Sequence, residues 1–215
     1  MTTRLSLYND ALLLCGERFL VSLTEEREPR RLLDQVWASN GVKTCLEMGQ
    51  WFFAMCAIQI DYDPSIEPDF GYNRAFQKPD DWVLTSAVCS DEFFRVPLLQ
   101  YTDEALYWYS TIDTIYVKYV SYSTDYGLDM NKWPESFREY VAAYFASKII
   151  LKISNDEAKL LQIERIKDRA LSKAKNSSAM AGPTLVPARG NWSNARTRFG
   201  ARRDGGNNSG GNLIG

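Results

Sequence analysis

Histidine is absent from this 215-residue chain, and its absence excludes more chemistry than any other single feature. Without an imidazole there is no Ser-His-Asp or Cys-His relay and no His-ligated metal centre. Cysteine is scarce. Cys15, Cys45, Cys56 and Cys89 lie 30, 11 and 33 residues apart, a spacing that matches neither a zinc site nor a redox pair. Their Leu, Met, Ala and Val neighbours predict buried, reduced thiols. A run of ~18 apolar residues is also missing, so no membrane-spanning helix is expected. Residues Met1 to Asp10 make a poor secretion signal, since an early arginine is followed by Tyr8, Asn9 and Asp10 before the short "ALLLC" run. The expectation is a protein made and kept in a cytoplasm.

What is present points to a packed globule, with 45% hydrophobic and 13% aromatic residues. The 25 basic and 27 acidic residues are unevenly placed. From Gly182 onward there are five arginines and one aspartate, so the tail carries +4 and residues 1–181 carry −6. The body is expected to repel polyanions, while the tail attracts them.

Leu5, Tyr8, Leu12 and Cys15 recur at helical spacing, and Gly16 is placed to end that helix. A second helix is predicted after a Thr24 N-cap, with Pro29 in its first turn and Leu32, Leu33, Val36, Trp37, Cys45 and Leu46 inward. Asn40-Gly41 predicts a kink or break in it. "WFFAMCAIQI" (51–60) reads as a buried strand. The Pro-punctuated loop that follows holds Asp61, Asp63, Glu67 and Asp69. Their spacing lacks the central glycine and closing glutamate of an EF-hand, and nothing among them marks an acid of raised pKa, so a solvated loop is expected. The run Trp82 to Val88 reads as a helix with Asp80 and Asp81 at its positive end. "FFRVPLLQY", "ALYWYS" and "TIYVKYVSY" read as strands, the last two joined by a hairpin turn at "STIDT". Both faces of the last strand are apolar or aromatic, which predicts a helix on one side and a neighbouring subunit on the other. Two helices follow, one opening at Pro134-Glu135 and one over about Asp156 to Lys175. Pro183 and Pro187 end regular structure.

The sequence thus predicts a mainly α protein with a small β part (α+β). A helical bundle with an antiparallel hairpin or small sheet would occupy residues 1–181, with the β-rich insertion at about 51–122. Residues 182–215 would form an extended or flexible C-terminal arm. Trp37, Trp51, Trp82 and Tyr144 are expected in the core, whereas Trp108, Tyr116 and Tyr122 are candidates for a subunit interface. No cofactor, metal or enzymatic activity is expected.

The order of elements, with "NDALLLCGERFLVSLTEE" near the start, "NRAFQKPDDWVLTSAV" in the middle and "WPESFREYVAAYFASKIILKIS" late, resembles the tail tubular protein A family of short-tailed bacteriophages. The resemblance covers roughly residues 5 to 175. It implies a structural virion protein of the tail or neck, assembled in the host cytoplasm as a twelve-copy adaptor ring between portal protein and tail nozzle. It also implies a lumen through which DNA passes without specific binding, and tail fibres as further partners. One departure is Lys78 in "QKPDDW", where the family pattern more often has an apolar residue before the proline.

On this reading the tail is a docking arm. Trp192 and Phe199 would anchor in a crevice of the portal, while Arg196, Arg198, Arg202 and Arg203 pair with its carboxylates. The alternative is a nucleic-acid-binding protein that uses the same Arg/Gly-rich tail on single strands.

Overall fold

The computed structural model describes residues 3–68 and 71–182. Among them are five α-helices: α1 (Arg4–Cys15), α2 (Glu28–Ala38), α3 (Gly41–Glu47), α4 (Glu135–Ser154) and α5 (Glu157–Ala181). Between α3 and α4 lie a 3-10 turn (Phe52–Ala54) and six strands: β1 (Met55–Asp61), β2 (Arg74–Gln77), β3 (Trp82–Cys89), β4 (Thr102–Asp103), β5 (Tyr107–Ser110) and β6 (Thr114–Ser121). The fold is mainly helical with a small antiparallel β part, as the sequence predicts.

The helix ends follow local chemistry. At the start of α1, Thr3 Oγ1 accepts from the Ser6 amide while Ser6 Oγ accepts from the Thr3 amide, so two orphan donors are satisfied reciprocally. Gly16 closes the helix at φ 74°, a left-handed conformation that glycine adopts without a Cβ clash. Arg27, not Thr24, is the N-cap of α2, with Pro29 in the first turn as expected. Asn40 at φ 61° separates α2 from α3, so Asn40-Gly41 is a true break. Asp156 caps α5 by accepting from the Ala158 and Lys159 amides.

The six strands form two three-stranded sheets, the first ordered β1-β6-β3 and the second β2-β5-β4. Three sequence expectations fail here. Residues 82–88 are strand β3, not a helix. Register shifts between Trp82 and Leu84 and between Thr85 and Ala87 break the two-residue alternation that would have marked it as a strand. The "STIDT" turn does not close a hairpin, because β5 pairs with β2 and β4 whereas β6 pairs with β1 and β3. The turn carries the chain from one sheet to the other. Finally, most of "FFRVPLLQY" is loop, tied to β3 by a single bridge between Cys89 and Pro97.

The first sheet lies between two cores. Val83 and Val120 join the larger core, in which α4 packs against α1, α2, α3 and α5 around Tyr8, Leu12, Trp51, Phe137 and Phe145. Val88, Ile115, Val117 and Tyr119 enter a smaller core completed by Phe76 and Trp108 of the second sheet. Strand β6 is apolar on both faces because each face meets a different layer of its own chain. Trp51 is buried as expected, while Trp37, Trp82 and Tyr144 are half-buried and pack against the two cores. All four cysteines are buried and free.

Candidate functional site

Of the predicted interface residues, Trp108 is corrected outright: it is fully buried between the sheets and presents no surface to a neighbour. Its segment "ALYWYS" left core and interface both open, and the structure puts the indole in the core shared with the first sheet. Tyr116 is half-buried on β6, opposite Gln59 and Cys89. Tyr122, also half-buried, packs against the larger core. The arm residues Trp192, Arg196, Arg198, Phe199, Arg202 and Arg203 lie outside the described residues, as does Asp69 of the acidic loop. In that loop Asp61 accepts from Thr114 at 2.7 Å, and Asp63 accepts from the Ser65 amide and hydroxyl at 2.9 and 2.6 Å. These are bonds of strand ends and turns, and they hold the Asp63 carboxyl below its ordinary range.

The departure at Lys78 proves to be a buried polar cluster between the sheets. The Lys78 side chain is only 4% exposed and pairs with Asp103 of β4. Its ammonium sits 3.6 Å from the ring centre of Trp82 and 5.3 Å from that of Trp108. Thr85 Oγ1 donates to Asp103 at 2.7 Å and accepts from the indole N–H groups of both Trp82 and Trp108 at 3.1 Å. The Trp108 indole also reaches Asp103 at 3.2 Å. Every member has a partner, so the cluster ties β2, β4 and β5 to β3 without an orphan charge. Nothing in the sequence but the pairing of a lysine with tryptophans four and thirty residues later hinted at it.

Similar clusters fix the bundle. Asp34 of α2 accepts from Arg4 and Arg30 at 2.5 Å each and from Tyr8 at 2.9 Å. Arg138 of α4 reaches Asp10 of α1 at 2.5 Å, a pairing that raises the guanidinium's pKa. With α1, α2 and α4 locked in this way, the surfaces they carry are held in fixed positions.

Among the exposed large apolar side chains, two groups lie close together in sequence. In the connector between α1 and α2, Asn9 clamps the backbone of Leu20 through both its N–H and C=O, burying Leu20 and turning Phe19 and Val21 to solvent. The second segment follows β3 and runs through the β4–β5 hairpin, with Phe93, Val96, Leu99 and Leu106 exposed. Here Asp91 accepts from the Arg95 and Val96 amides and holds a tight turn in which Phe94 adopts φ 54°. Exposed apolar residues scattered singly are ordinary, but three or four within one short segment make each of these segments a candidate docking surface. A cavity of about 540 Å³ lies elsewhere, lined by Met48, Trp51, Phe52 and Met55 and rimmed by Lys118 and Lys175. No protein-family model matches this chain, and no curated protein matches it either.

Proposed function

We propose that this chain is a structural, non-enzymatic virion protein: the subunit of a dodecameric adaptor ring that joins the portal of a short-tailed phage to its tail nozzle. The observation that supports this best is the pair of chain segments with exposed apolar side chains, the α1–α2 connector and residues 93–106. A ring subunit meets its two neighbours through two different surfaces, whereas a two-fold dimer needs only one. The net charge of −6 on residues 1–181 suits a conduit for DNA, because like charge lets a duplex slide without sticking. The basic segment with Trp192 and Phe199 is the portal-docking arm in this reading, and tail fibres are further partners.

The test is the mass of the purified protein alone and with the portal protein of the same virus. Portal-dependent assembly into a ring of high mass is expected. Strictly monomeric behaviour in both cases sinks the reading, and salt-sensitive binding of single-stranded nucleic acid by monomers establishes the alternative. Deletion of residues 189–215 is expected to leave a folded chain that attaches poorly to the portal.

A further inference from the structure

We propose that the cavity beneath Lys118 and Lys175 receives the tip of the β4–β5 hairpin from a second copy of this chain; this rests on the ring reading and names the contact that would build it.

The cavity sits where the bundle ends and the first sheet emerges. Its apolar floor comes from Met48, Phe52 and Met55, and Ala179 of α5 closes one side. None of its lining residues is acidic, and neither Lys118 nor Lys175 forms an ion pair among the described residues. The Lys118 ammonium instead lies 4.1 Å from the Phe94 ring centre. Two cations without carboxylates above an apolar floor are complementary to a group that is both acidic and apolar.

One exposed element of this chain has that composition in a rigid form. The hairpin tip carries Glu104, Ala105 and Leu106, all exposed. It is closed by the Glu104 amide donating to the Tyr107 carbonyl at 2.9 Å, and it is anchored by the Lys78 amide donating to the Leu106 carbonyl at 2.9 Å. Residues 91–106 contain four carboxylates against the single Arg95. A preorganised tip loses little conformational freedom on docking.

Tip and cavity lie on opposite sides of the first sheet. Along β6, Val117 and Tyr119 enter the core shared with the second sheet, which carries the hairpin, whereas Lys118 between them faces the cavity. Insertion of one copy's tip into the next copy's cavity therefore joins two unlike surfaces. Such head-to-tail contacts propagate, and they close into a ring when the rotation allows. Leu106 would rest on Met48, Phe52 and Met55 while Glu104 meets the two lysines.

A ring that needs the portal to close still rests on a weak contact between free copies, so the contact is read without the portal at a protein concentration high enough to populate it. Equal amounts of full-length chain at natural and ¹⁵N abundance are mixed at high concentration, treated with a zero-length carbodiimide and mapped by mass spectrometry. Links between Glu104 and Lys118 or Lys175 in mixed-isotope pairs are expected. In sedimentation, Glu104→Lys or Lys175→Glu alone should weaken self-association roughly tenfold, and mixing the two variants should recover most of it. Both sites are on the surface, so unchanged circular dichroism verifies folding. The proposal is overturned if the lysines link only within a chain, for instance to Asp204 of its own arm. It is equally overturned if they link to other carboxylates, or if neither charge reversal alters association. Each of those results leaves portal attachment to be judged by its own measurement.

Discussion

Replacement of Lys78 by methionine isolates the cost of opening the cluster between the sheets. The methionine keeps most of the apolar stem and removes the charge, so the cavity left behind is small. Two losses add. An ammonium 3.6 Å from the Trp82 ring centre in a site this dry contributes up to about 2 kcal/mol. Breaking a fully buried ion pair costs about 3–5 kcal/mol, chiefly because one charge is stranded. Asp103 is not fully stranded, since its side chain is 34% exposed and keeps the Thr85 hydroxyl and the Trp108 indole as donors. The pair therefore falls well below that range, and the variant should lose about 2–4 kcal/mol in total. Chemical denaturation followed by circular dichroism measures it, and a thermal midpoint lower by roughly 5–15 °C should accompany it. Hydrogen exchange should quicken first in Tyr107–Ser110, whose sheet the cluster ties to β3. A double-mutant cycle with Asp103→Asn should show coupling of about 1–3 kcal/mol. A loss under about 0.5 kcal/mol, or full additivity with Asp103→Asn, would refute the claim that this pair joins the two sheets.

Gly127→Ala should destabilise by about 2–3 kcal/mol in a denaturant titration, because a Cβ there would lie 2.3 Å from the Ser121 carbonyl oxygen and 2.7 Å from Leu46. Relief by backbone movement is hindered, since the Gly127 carbonyl also accepts from the Trp133 indole at 2.8 Å. Asp34→Ala should cost about 1–3 kcal/mol by the same assay, as it leaves Arg4, Arg30 and Tyr8 without their shared acceptor in a partly exposed site. Burial pushes the Cys15 thiol up to about 11 and the Cys45 thiol up to about 12, against an ordinary 9.0. Below pH 9 both folded and unfolded chains hold these protons and the stability is intact. As pH rises from 9 towards 11 the unfolded chain ionises first, and stability should fall by about 3 kcal/mol from Cys15 alone. A denaturation midpoint that is flat across that window would contradict the burial of these thiols. At pH 8 the native chain should react with a thiol reagent far more slowly than the unfolded chain does.

Much of the bundle is legible in the sequence because helical periodicity is local. Tyr8, Leu12 and Cys15 mark α1, and Phe137, Val141, Phe145 and Ile149 mark α4, since side chains spaced at three and four residues must share a face. Breaks such as Gly16 and Asn40-Gly41 are equally local, as each depends on a left-handed backbone that few residues tolerate. The strand β3 was hidden by its two register shifts, which erase alternation, and by Asp80 and Asp81, which imitate the acidic start of a helix.

The site residues divide along the same line. Composition alone places an acidic body before a basic, arginine-rich tail, because charge is counted without knowing any distance. The absence of histidine removes whole chemistries in the same way. Burial is another matter. Trp108 and Lys78 invite opposite guesses from their types, yet both are buried and touch the same Asp103 and Thr85 or Trp82 neighbourhood. Which strand pairs with which, and hence which face of β6 is covered by its own chain, depends on contacts between residues far apart in sequence. Only the tertiary structure decided that the two faces of β6 look toward different layers, that Lys118 faces a cavity while its neighbours face a core, and that two apolar segments remain uncovered. Those outcomes turn on how layers stack, and periodicity along the chain carries no information about the layer on the other side.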